Sequence, residues 1–117
     1  RTTLKNIQRG EILKINLSPT QGREQQGEAR PCLVLSDNKF NQRRNGIVIV
    51  SPITNTIKPE IKTLIQLPPG LKVTGSIVAE QIRTLDLNKR WWKTMGIIVE
   101  KNFVDSVTHV VSQIVSG

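Results

Sequence analysis

The chain has 117 residues, with 17 Lys and Arg against 9 Asp and Glu, a formal net charge of +8 and a pI near 10.3. That length suits one domain with one modest core, and the basic surface points to phosphate backbones or an acidic protein as partner. One cysteine excludes an intrachain disulfide, and one histidine excludes paired-imidazole ribonuclease chemistry within a chain. No Cys/His or carboxylate cluster suggests a metal, so neither metal nor cofactor is expected.

Residues 1–8 read as an N-terminal extension and 9–117 as a single domain. No apolar run approaches membrane-spanning length, and Asn6, Gln8 and Arg9 interrupt the start. Neither a signal peptide nor a transmembrane helix is expected, and a reducing, cytoplasmic setting fits. Leu13, Ile15 and Leu17 then alternate with Lys14 and Asn16, the period of a half-buried strand. A polar loop bracketed by Gly22 and Gly27 follows and ends in Arg30-Pro31. Short β-branched or apolar runs at 31–35, 47–50, 63–67 and 76–79 read as four more strands, and 82–85 as an extension of the last after a bend. Cys32, inside the first of these runs, reads as a core residue. Near the end the period changes. Phe103, Val104, Val107, Val110, Val111, Ile114 and Val115 form one stripe of a helix that burial must hold, because valine is a poor helix former. His109 falls off that stripe.

The expected architecture is therefore mainly β, an antiparallel sheet closing on itself, with a C-terminal helix. Three polar, positively charged loops, at 18–29, 36–45 and 52–62, exceed simple hairpins and are places to look for function. Pro31 fixes its own φ and biases Arg30 toward extended geometry, so the guanidinium is held at a strand edge. Thr54 follows the run 47–50 through Ser51-Pro52-Ile53. An arginine and a threonine at neighbouring strand ends can grip one phosphate, the first with a rigid fork of donors and the second with a hydroxyl.

In order along the chain come Arg9-Gly10-Glu11-Ile12, Leu17-Ser18-Pro19-Thr20, Gly22-x-Glu24-Gln25-x-Gly27, Arg30-Pro31, Phe40-Asn41, Pro52-Ile53-Thr54 and Glu80-Gln81-Ile82-Arg83-Thr84-Leu85-Asp86. This series resembles the MazF/PemK/Kid family of toxin endoribonucleases, over about Arg9 to Asp86. The resemblance implies an SH3-like barrel with short helical insertions, working as a homodimer. It also implies sequence-specific, metal-independent cleavage of single-stranded RNA, mRNA included, with an acidic MazE-like antitoxin as partner. Arg30 and Thr54 match the family's catalytic arginine and threonine.

Glu24, Gln25 and Arg23 lie in the loop that borders the RNA path in the family. Glu24 either reads a base edge, orients Arg30 or is an exposed loop carboxylate. Gln81 offers a donor and an acceptor to a base, and Lys58 adds charge to the third loop. Arg30 pairing with Glu24 or Glu28, and Thr54 serving only its own turn, are the plain structural alternatives. Arg83 and Thr84 are favoured as a polar pair bracing the barrel, and Phe40 as an anchor for its loop. Trp91-Trp92, flanked by Lys89, Arg90 and Lys93, fit a stacking platform, a dimer contact or an antitoxin anchor.

The Kid branch's catalytic arginine is absent here, where Val78-Ala79-Glu80 stand, and Arg23 occupies its loop-histidine position. The resemblance is thus to the MazF-type branch. The alternatives are a CcdB-like gyrase poison of the same fold, which the ending Gln113-Ile114-Val115-Ser116-Gly117 does not match, and a catalytically silent RNA-binding module.

Overall fold

A computed structural model describes residues 6–18 and 29–117. Its elements are β1 (Glu11–Asn16), β2 (Ala29–Val34), α1 (Asn38–Arg44), β3 (Ile47–Thr54), β4 (Leu64–Gln66), β5 (Ser76–Val78), β6 (Arg83–Asp86), β7 (Trp92–Ile98) and α2 (Lys101–Ser116). Single 3-10 turns lie at Ala79–Gln81 and Leu87–Lys89. The strands pair antiparallel in the order β4-β5-β3-β2-β1-β7, with β6 also on β3. The mainly β architecture with a C-terminal helix is as expected. The ladder itself does not close, because β6 and β7 follow one another in sequence without pairing among the described residues.

β3 organises the sheet. One of its edges pairs with β2 through Val50–Pro52. The other takes β6 along Ile47 to Val50 and then β5 at Ile53 and Thr54. Pro52, with no N–H to donate, sits at that changeover. Gly75 lets β5 approach: its φ is +124°, and a Cβ there would stand 2.1 Å from the Thr54 carbonyl oxygen. A side chain is therefore excluded at the point where β5 meets the end of β3.

The sheet carries an apolar cluster on each face. The first joins Ile12, Leu33, Ile53 and Ile77 to Val104 and Val107 of α2. The second gathers Leu13, Ile15, Cys32, Val34, Val48 and Val50 under Leu85, Leu87 and Ile7. This explains one departure from the sequence reading. The alternation in β1 predicts a half-buried strand, yet every β1 residue except Lys14 is buried. β1 lies between β2 and β7 and has apolar residues packed against both faces.

Three further departures have local causes. Segment 36–45 is not simply a loop but holds α1. Asp37 accepts from the Lys39 N–H at 2.9 Å as N-cap, and Asn45 ends the helix at φ 44°. Segment 82–85 does not extend β5, because the turn at Ala79–Gln81 redirects the chain and β6 pairs with the opposite end of β3. Residues 92–98, where Lys93, Thr94 and Gly96 break up the apolar residues, form β7 on β1.

The stripe of α2 behaves as expected over its first two turns. Val104 and Val107 are buried, and Phe103 and Val111 pack against the first cluster. Arg9 pins the helix, donating from Nη2 to the Thr108 hydroxyl at 2.9 Å and meeting the Asp105 carboxylate at 3.0 Å. The end of the stripe outruns the sheet, leaving Ile114 and Val115 exposed. Among the described residues, no helix is long and apolar enough to cross a membrane.

Candidate active site

β2 and β3 pair only from Cys32 and Pro52 inward. Continuing that register past the end of the ladder sets Arg30 across from Thr54. Residues facing each other across antiparallel strands share a sheet face, here the face of the second cluster, since Cys32, Val34 and Val50 belong to it. Arg30 is exposed. Its Nη2 donates to the carbonyl oxygen of Ile53, the residue before Thr54, at 3.4 Å. The bond is long and uses one of five donors, so most of the fork stays available to an anion.

Thr54 is half-buried at the end of β3. Its Oγ1 accepts from the Thr56 N–H at 3.3 Å and lies 3.4 Å from the Thr56 hydroxyl. The hydroxyl thus serves its own turn, as the structural alternative required. Both contacts are long, and the hydroxyl proton can turn outward to a stronger acceptor. Arg30 and Thr54 are brought together on one surface, joined through the Ile53 carbonyl.

The other sequence-derived candidates divide. Arg23, Glu24 and Gln25, with Glu28, lie outside the described residues. Lys58 is exposed in the loop that leaves Thr54, and Gln81 is exposed at the end of the turn before β6. Phe40 joins neither apolar cluster. Its ring lies 5.6 Å from the Arg44 guanidinium, a cation–π contact within α1. Trp92 is half-buried against the second cluster, while the Trp91 carbonyl accepts from the Asn16 N–H at 3.0 Å.

Two residues gain importance that sequence reasoning did not give them. Arg83 is exposed, and no hydrogen bond or ion pair holds its guanidinium among the described residues. It therefore does not brace the sheet as a paired group. Arg90 donates from Nη1 to the Asn16 carbonyl at 2.8 Å. The charge-dense string Lys89-Arg90-Trp91-Trp92-Lys93 was the only sequence signal for it.

Both arginines act on Cys32, as does Arg30. Burial pushes the Cys32 thiol up to about 12, against the pull of these three cations. Arg90 is in turn drawn below its ordinary value, first by burial and then by Arg83, with Asp86 opposing. Burial outweighs the three cations, so Cys32 sits as a core thiol within electrostatic reach of Arg30, Arg83 and Arg90.

An antiparallel sheet with one helix packed against one face makes an SH3-like fold, and it sets an exposed arginine beside a threonine at neighbouring strand ends. The chain belongs to the PemK-like, MazF-like toxins of type II toxin–antitoxin systems, whose family pattern matches residues 8–115. It is 34% identical over 98 residues to the endoribonuclease toxin ChpB of Escherichia coli K12, an alignment covering 81% of this chain and 83% of ChpB. The crystal structure of MazF from Deinococcus radiodurans superposes with a TM-score of 0.79 at 25% identity, over the full length of both chains. A MazE–MazF complex from the same organism gives 0.78 at 22% identity, covering 99% of this chain and 98% of that one.

Proposed function

We propose that the chain is an endoribonuclease toxin that cuts single-stranded RNA, mRNA included, at a short sequence motif without a metal ion, and slows translation and growth by doing so. The observation that carries this reading is the adjacency of Arg30 and Thr54 at the exposed end of β2 and β3. In the reaction, a 2′-oxygen attacks the neighbouring phosphorus and the bond to the 5′-oxygen breaks. The 2′-proton passes to a base and the departing oxygen takes one up, leaving a 2′,3′-cyclic phosphate and a 5′-hydroxyl. Charge builds on the phosphoryl oxygens as the phosphorus becomes five-coordinate. The Arg30 guanidinium stabilises that charge, and Thr54 donates a hydrogen bond to it.

The expected partners follow the same chemistry. An acidic, MazE-like antitoxin segment would cover the basic groove and exclude RNA. The net charge of +8 and the fold's likeness to MazF in a MazE–MazF complex support it. A homodimer and a cytoplasmic site of action are the family's implications for this chain. Arg23, Glu24, Gln25, Lys58 and Gln81 are proposed to contact the RNA on either side of the cut.

The test is a labelled single-stranded RNA incubated with wild type and with Arg30→Ala. Wild type cuts at discrete positions, in EDTA as well as in its absence, and Arg30→Ala does not cut while remaining folded. Cutting by Arg30→Ala at the wild-type rate would remove that residue from the site. Activity lost in EDTA and restored by Mg²⁺ would overturn the metal-independent mechanism.

A further inference from the structure

Of the three guanidiniums that act on Cys32, the proposed reaction uses only Arg30. The other two are placed by the same sheet face. Arg83 opens β6 opposite Val50, whose side chain belongs to the second cluster, as does that of Leu85 two residues on. Alternation along the strand puts Arg83 on that face, at its rim. Arg90 follows the turn Leu87–Lys89, which lays Leu87 into the same cluster. Its Nη1 bonds the carbonyl of Asn16, and Asn16 pairs with Ala29, the neighbour of Arg30. The three cations therefore surround one end of one apolar cluster.

Compensation among the described residues is thin. Both ion pairs among the described residues fall on Asp105, away from this face. The carboxylate that acts on Arg90 is Asp86, and its Oδ1 already accepts from the Asn88 backbone and side-chain N–H groups at 3.0 Å each. Grouped like charges repel, and the repulsion is relieved when an anion enters among them.

We propose that Arg83 and Arg90 form a second phosphate-binding subsite, which holds a backbone phosphate next to the one gripped by Arg30 and Thr54. The assignment rests on the endoribonuclease reading above and extends it by one linkage of the same strand. A phosphodiester carries one negative charge over two free oxygens, which a guanidinium fork meets with two parallel bonds. Arg83 brings a whole unengaged fork, and Arg90 brings the donors that its bond to Asn16 leaves over. Such contacts fix the register of the strand and carry no base preference. Arg83 and Arg90 are positioning residues, and the cut remains with Arg30 and Thr54.

The experiment measures binding of a mixed-sequence single-stranded RNA, methylated at every 2′-oxygen so that it cannot be cut, across a range of salt. Arg83→Gln should weaken binding about tenfold at low salt and flatten the slope of log K against log salt by about 0.7, the share of one phosphate on a single strand. Its melting temperature should match wild type, because Arg83 gives up no internal partner. Arg83→Lys should restore the slope. Arg90→Gln should flatten it similarly, and Arg83→Gln keeps the test informative if loss of the Asn16 bond unfolds that second variant. In cleavage of an unmethylated substrate, Arg83→Gln should raise KM more than it lowers kcat. Removing the phosphate beside the cut should penalise wild type but not Arg83→Gln.

An unchanged salt slope in Arg83→Gln would overturn the subsite even if Arg30→Ala abolishes cutting, so the endoribonuclease reading would survive. A flattened slope in a protein that cuts no RNA would sink that reading and leave a phosphate site. Weakened binding of an acidic peptide, with RNA binding intact, would also overturn the proposal and assign the arginines to a protein partner.

Discussion

The two apolar clusters share the strands β1, β2 and β3, yet they are closed in different ways. On one face α2 lies across Leu33, Ile53 and Ile77 and supplies Val104 and Val107 to the same cluster. On the other, Leu85, Leu87 and Ile7 cover Cys32 and Val50, and three arginines stand at the rim. The first face is a closed interior and the second opens onto charge. The contrast shows how one small sheet provides both a stable interior and a reactive edge. Strand alternation sends Ile53 into the first cluster and sets its neighbour Thr54 beside Arg30 on the opposite face.

The largest effect expected from this contrast concerns Cys32. Burial raises its thiol from 9.0 to about 12 despite three neighbouring cations, which lowers the thiolate fraction near pH 8 by about a thousandfold. Alkylation of the native protein at pH 8 should be slower than that of the urea-unfolded protein by at least this factor. Equal rates would show that the arginines, rather than burial, govern this face. Thr54→Val tests the reactive edge. Removal of one well-aimed donor lowers the cleavage rate by about 10²–10³, and the melting temperature should barely change, because the hydroxyl makes only long contacts within its own turn.

Gly75→Ala should disturb both properties together. The added Cβ meets the Thr54 carbonyl oxygen at 2.1 Å, from a backbone at φ +124°. A loss of about 1–3 kcal/mol by urea unfolding is expected, with reduced cleavage because the end of β3 must shift. The smallest effect belongs to the closed face. Ser51 pairs with Leu33 across the strands, and its buried Oγ has no hydrogen-bond partner among the described residues. Ser51→Ala removes an unsatisfied group and should leave stability unchanged or raise it by up to about 1 kcal/mol, with no change in RNA cleavage.

The legible parts of this chain were those whose signals are local. The β-branched runs around Val34, Val50 and Ile77 announced strands, and the stripe from Phe103 to Val111 announced α2. Pro31 and Pro52 lie two residues or fewer from Arg30 and Thr54, and both are taken into strands, β3 running on past the apolar run 47–50 to Thr54. What stayed hidden depends on partners distant in sequence. α1 has no apolar stripe. It is held by its caps and by the buried Asn41, whose Nδ2 donates to the carbonyls of Ile7 and Ser36 at 3.1 and 3.2 Å. β7 opens with Trp, Lys, Thr, Met and Gly before Ile97 and Ile98, too mixed a run to stand out, and pairing with β1 fixes it as a strand. β6 could not be separated from β5 without knowing that two strands divide one edge of β3. The gathering of Arg83 and Arg90 follows from that division and from the turn at Leu87–Lys89, neither of which leaves a mark in composition.

In the proposed reaction Arg30 and Thr54 act together on a single RNA linkage through the 2′-hydroxyl beside it. Its most direct test is end-group analysis of RNA cut by wild type, set against the same substrate treated with Arg30→Ala. Wild type should leave 2′,3′-cyclic phosphate and 5′-hydroxyl termini, and the variant should leave the RNA intact. Products bearing a 5′-phosphate, or undiminished cutting by Arg30→Ala, would contradict it.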